Sequence, residues 1–67
     1  MTIKAIKAIK RDRYTDFYRG KIRIGYHDPR GDLYAIWCGF AEIVERGVES
    51  RDYPEEKLAA WIANKRA

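Results

Sequence analysis

Few side chains in this chain could carry out covalent chemistry. It holds one histidine (His27), one cysteine (Cys38) and one serine (Ser50). A nucleophile and its base must lie within hydrogen-bond reach. His27 and Cys38 flank a stretch that reads as a β-hairpin. With a four-residue loop they fall about five residues apart along it, roughly 17 Å at the rise of a strand. That separation excludes a Cys–His pair. Cys38 then reads as a small buried hydrophobe, and His27 as a solvated or turn-bonding residue. A zinc site needs about four ligands, more than one Cys and one His supply. Asp28 and Asp32 are better explained as turn formers than as ligands of a divalent ion. The five glycines do not form a phosphate-cradling GxxxxGK[ST] pattern. The expectation is a protein that is not an enzyme and uses no cofactor or metal.

Binding chemistry is better represented. Lys4, Lys7, Lys10, Arg11, Arg13, Arg19, Lys21 and Arg23 all fall in the first 23 residues, against Asp12 and Asp16, a local surplus of +6. The remaining 44 residues hold six basic and eight acidic side chains, a balance of −2. Tyr14, Phe17 and Tyr18 stand among the arginines. Phosphates attract cations, and bases stack on aromatic rings. Nucleic acid, DNA or RNA, is therefore the first expected partner, with Tyr14 or Tyr18 as stacking residues. A solvated charged face that only balances the acidic half is the plain alternative.

A second reading uses the same surplus differently. Tyr26, Tyr34 and Trp37 crowd a hairpin that also carries Arg23 and Arg30, and aromatic and arginine residues dominate interface hot spots. On this reading the chain is an adaptor or inhibitor that recognises an acidic surface on a larger host protein through Tyr34, Arg23 or Arg30. Size and composition suit the small accessory proteins of phages and mobile elements. An uncovered sheet edge also leaves a homodimer open.

These residues need elements to position them. Tyr18, Ile22, Ile24 and Tyr26 recur at period two, the mark of a half-buried strand. Asp28-Pro29-Arg30-Gly31 then reads as a turn, and Leu33–Cys38 as the returning strand. A four-residue loop pairs Tyr26 with Leu33, Ile24 with Ala35 and Ile22 with Trp37 on one core face. Arg19, Lys21 and Arg23 would lie on the other face with Tyr34, Ile36 and Cys38. A slip of one residue exchanges the faces of a strand. Residues 1–10 repeat Ile-Lys-Ala and read as a first strand, with a flexible basic arm as the alternative. Residues 11–16 read as a loop. Phe40, Ile43, Val44 and Gly47 fall at helical spacing, so 40–47 reads as a short helix. Asp52 as N-cap, Pro54 in the first turn and Glu55 three residues after the cap start a C-terminal helix. That helix should bury Leu58, Trp61 and Ile62.

The expected fold is therefore one small basic α+β domain over residues 1–67. A three-stranded, mainly antiparallel sheet would carry a short helix and a C-terminal helix, in the order β-β-β-α-α. A lone cysteine suits the cytoplasm, and no apolar run reaches the length of a membrane span. Ile24-Gly25-Tyr26 with Asp28-Pro29 and Gly31, and Asp52-Tyr53-Pro54 later, resemble the small basic chromatin proteins of archaea over a short stretch. The spacing between the two pieces is longer here, and the chain is not assigned to that family.

Overall fold

The computed structural model describes residues 6–66. Five strands, β1 (Lys7–Lys10), β2 (Thr15–Arg19), β3 (Ile22–His27), β4 (Leu33–Trp37) and β5 (Phe40–Glu45), form one antiparallel meander in chain order. A single-turn 3₁₀ segment (Ser50–Asp52) leads into one α-helix, α1 (Pro54–Arg66). The expected three-stranded sheet with two helices is thus corrected to five strands and one α-helix among the described residues. Ile3 and Lys4, from the expected first strand, lie outside the described residues.

Two tight turns account for the extra strands. The alternating run from Tyr18 to Tyr26 is not one strand. It folds back at Gly20-Lys21, where Arg19 pairs with Ile22. Gly20 has φ 66°, the positive value needed at the first position of a two-residue type II′ loop. Thr15 and Asp16, expected in a loop, open β2. The second turn is Cys38-Gly39, with φ 53° and 83°. Both central residues of a type I′ hairpin need positive φ. This turn sends Phe40–Glu45 back along β4, where Ala41 pairs with Ile36 and Ile43 with Tyr34. The helical spacing of Phe40, Ile43 and Val44 is overridden by that pairing, and two adjacent β-branched residues suit it. Cys38 is accordingly exposed in a turn rather than buried. Because Asn-Gly is the preferred pair in such a turn, Cys38→Asn should raise stability by roughly 0.5 kcal/mol. Thermal unfolding would show this as a Tm about 2–4 °C higher.

The central hairpin closes one residue later than the four-residue loop requires. Asp28 N–H donates to the Asp32 carbonyl at 2.8 Å, and Gly31 N–H to the Asp28 carbonyl at 2.9 Å. The Arg30 N–H bonds the Asp28 carboxylate at 2.8 Å. Asp28 is therefore the turn former its sequence context implies. His27 now faces Leu33, Tyr26 faces Tyr34, and Gly25 faces Ala35. This moves Tyr26 off the core face and onto the same face as Tyr34.

The core lies between one sheet face and α1. Phe17, Leu33, Ala35, Val48, Leu58 and Ile62 are buried, with Ile24, Trp37, Val44 and Trp61 packed around them. Trp61 meets Trp37 edge-to-face at 6.2 Å. Leu58, Trp61 and Ile62 are the stripe expected of the helix. Its start differs from the expectation. The helix begins at Pro54, and Asp52 caps the preceding 3₁₀ turn, accepting the Glu49 N–H at 2.9 Å. Ile24 and Val44 are extra residues at bulges, one in β3 and one in β5. Bulges bend and twist a strand, and both side chains reach the core. Among the described residues no helix is long and apolar enough to cross a membrane.

Candidate functional site

Among the described residues the helix covers one face of the sheet and no element covers the other. Directly paired residues share a face, so the register places Lys7, Ile9, Asp16, Tyr18, Arg23, Tyr26, Tyr34, Ile36, Ala41 and Ile43 together on the open side.

The centre of this face is an ion-pair triad. Asp16 is 3% exposed, the one buried charged residue of the sheet. Its two oxygens take one arginine each. Arg11 donates Nε–H to Oδ2 at 3.0 Å, and Arg23 donates Nε–H to Oδ1 at 2.8 Å. A terminal nitrogen of Arg23 also lies 2.8 Å from Oδ1. The Asp16 carboxylate foremost, with the Tyr18 hydroxyl, raises the Arg11 guanidinium above its ordinary value, so it stays charged at any accessible pH.

Beside the triad the aromatic rings stand in a row. Tyr26 and Tyr34 stack across β3 and β4 with centroids 4.9 Å apart and planes 21° apart. The Arg23 guanidinium lies 4.9 Å from the Tyr26 centroid. Arg23, Tyr26 and Tyr34 engage one another, so the protein itself uses the faces of Tyr26. Tyr14, 41% exposed, is the exposed ring at this end of the sheet, while Phe40 and Tyr53 are exposed elsewhere.

Tyr14 sits where two cavities meet. The larger, about 540 Å³, lies at the end of the sheet between the β1–β2 turn, the β3–β4 turn and the connector after β5. Lys10, Arg11, Arg13 and Arg30 line it, and so do Asp12, Asp28 and Glu49. The smaller, about 210 Å³, is bounded by Tyr14, Arg23, Tyr26, Asp28 and Pro29. Tyr14, Asp28 and Pro29 belong to both. The His27 imidazole fixes the floor of the larger cavity. A carbonyl only accepts, so the 2.5 Å contact with the Val48 carbonyl puts the proton on Nε2. His27 is thus a structural bond from β3 to the connector.

The basic residues singled out from the sequence divide into groups. Lys10, Arg11, Arg13, Arg23 and Arg30 gather around the two cavities with Tyr14. Lys7, Tyr18 and Tyr34 lie on the adjoining open face. Lys21 sits in the β2–β3 turn at the other end of the sheet. Arg19 follows the core-side alternation of Thr15 and Phe17, and its Nε is buried with no hydrogen-bond partner among the described residues. Lys4 lies outside the described residues. The five gathered cations are opposed by Asp12, Asp16, Asp28 and Glu49, leaving a local surplus of one.

Sequence reasoning missed Asp16, Tyr26, Asp28 and Pro29 as parts of the site. Asp16 had a signal, a single acid between two arginine clusters. Tyr26 depended on the loop length alone. Comparison of the chain with protein families, with curated proteins and with solved structures found no match.

Proposed function

We propose that this protein is a non-enzymatic module that binds single-stranded nucleic acid at the Tyr14 end of its open sheet face. The observation that carries this reading is the arrangement of Lys10, Arg11, Arg13, Arg23 and Arg30 around two joined cavities that share one available aromatic ring. Cations lining a groove and a ring on which bases stack are what sequence-tolerant single-strand binding requires. Duplex binding fits less well, because a local surplus of one charge gives weak purchase on a phosphate array. The exposed free thiol of Cys38 supports a reducing, cytoplasmic setting.

The number of phosphates that the gathered cations meet, not the net surplus, sets the expected salt dependence. Affinity for single strands falls with a log–log slope of about −0.7 per phosphate neutralised. With about three phosphates engaged, affinity should drop roughly 20-fold between about 50 and 200 mM salt. Fluorescence anisotropy with labelled thymidine and uridine tracts measures this. Arg13→Ala and Arg30→Ala should each flatten the slope by about 0.7. No binding of any single strand at low salt would sink the proposal.

A second reading has its own support. Ile22 and Phe40 are 70% and 74% exposed at the β2–β3 and β4–β5 turn end. That suits an adaptor or inhibitor that grips a protein partner through this apolar pair. Arg23 and Tyr34 lie on the opposite face and Arg30 at the opposite end, so they would meet a separate acidic surface of that partner. A single stoichiometric protein partner that survives nuclease and is lost with Phe40→Ser would favour this reading over the first.

A further inference from the structure

We infer that the slot bounded by Tyr14, Arg23, Tyr26, Asp28 and Pro29 takes one nucleobase, and that Asp28 makes guanine the preferred one. The inference rests on the nucleic-acid reading above and specifies its ligand. At about 210 Å³ the slot is smaller than the roughly 300 Å³ at which pockets for whole small molecules begin. It is the size of a ring system, not of a nucleotide. Its walls are suited to a flat aromatic guest. Tyr14 contributes an aromatic ring and Pro29 an apolar surface, while Tyr26 is held in place by its stack on Tyr34 and the Arg23 guanidinium over its ring.

Asp28 supplies the polarity. One of its oxygens accepts the Arg30 N–H at 2.8 Å, and among the described residues the other has no hydrogen-bond partner. An ionised carboxylate only accepts, and it takes two parallel N–H donors well. On the Watson–Crick edge guanine alone presents two adjacent donors, N1–H and the 2-amino group. Adenine and cytosine place a ring acceptor beside their one amino donor, and uracil and thymine flank a single N3–H with carbonyls. Each of those bases would turn a lone pair toward the carboxylate. The larger cavity adjoins the slot through Tyr14, Asp28 and Pro29, so the phosphate of the seated nucleotide falls among Lys10, Arg11, Arg13 and Arg30.

The test uses thymidine tracts that carry one central guanine, inosine, adenine or cytosine. A single guanine avoids self-assembly of the strand. The intact protein should bind the guanine strand about tenfold more tightly than the plain tract, as expected for a two-bond base contact. Inosine, which lacks the 2-amino group, should lose most of that gain. Asp28→Asn keeps an oxygen for the Arg30 N–H, so the turn and the thermal unfolding should be unchanged. It presents an amide in place of the second oxygen, so the guanine preference should vanish, while the plain tract, facing one negative charge fewer, is bound more tightly with a steeper salt slope. Equal affinity for all four strands, or a guanine preference that survives both inosine and Asp28→Asn, overturns the inference. The inosine comparison needs no variant, so a misfolded Asp28→Asn does not remove the test. Binding without base discrimination overturns this inference alone, whereas loss of all binding overturns the nucleic-acid reading with it.

Discussion

Gly25→Ala should cost about 3 kcal/mol and come close to unfolding the domain. Gly25 pairs with Phe17 on one side and Ala35 on the other, directly beneath α1. A Cβ placed there would collide with the Tyr34 carbonyl oxygen and lie 2.8 Å from Leu58 Cδ2. The leucine can rotate away at the price of a void. The carbonyl cannot, because it belongs to the β4 backbone. Overpacking a core typically costs about 1–3 kcal/mol, and more where backbone must shift. A chain of 67 residues has about 3–10 kcal/mol in total. Leu58→Ala alone should cost about 2–5 kcal/mol through its cavity. In the double variant the smaller side chain relieves one clash only, so Gly25→Ala with Leu58→Ala should be less stable than either single variant, by less than the sum of the two losses. Urea unfolding followed by circular dichroism measures all three. A Gly25→Ala protein within about 0.5 kcal/mol of wild type would mean that α1 does not seat over β3 at this point.

Asp16→Ala should lower stability and strengthen non-specific binding at the same time. Hydrogen bonds to a charged partner contribute about 1.5–3 kcal/mol when buried. Here the acceptor is buried but Arg11 and Arg23 are 44% and 40% exposed. Water takes up both guanidiniums once the carboxylate is gone, so the expected loss is about 1–2 kcal/mol. The same change frees two cations on the open face and raises the local surplus from one to two. The salt slope for single strands should steepen by about 0.7. A stability loss with no change in slope would show that Arg11 and Arg23 do not meet the phosphates. That result would confine the site to Arg13, Arg30 and Lys10.

Several features of this protein are written in local sequence. Asp28-Pro29-Arg30-Gly31 marks a turn because each residue type prefers its turn position, and the structure closes a turn there. Pro54 followed by Leu58, Trp61 and Ile62 marks a helix with one apolar stripe, because the spacing matches the helical repeat. The basic excess of the first 23 residues is a matter of composition alone. The α+β character follows from these pieces.

Strand number and face assignment were decided by tertiary pairing. Gly20-Lys21 looked like two ordinary members of an alternating run. Their residue types fit the alternation, but the reversal pairs Arg19 with Ile22 and Tyr18 with Arg23, so the faces implied by a single strand are exchanged after the turn. Phe40, Ile43 and Val44 satisfy helical and strand spacing equally over so short a segment. The free edge of β4 and the positive φ of Cys38 and Gly39 settled it as a strand. Most consequential is Asp32. Whether it belongs to the loop or to β4 is a matter of one backbone bond, Asp28 N–H to the Asp32 carbonyl. That bond shifts the register by one, and a shift of one changes faces. Tyr26 leaves the core for the open side, meets Tyr34 and Arg23, and becomes a wall of the slot beside Tyr14. The residues of the candidate site were legible as types, but only the pairing of five strands could bring Tyr14, Arg23, Tyr26 and Asp28 to one place.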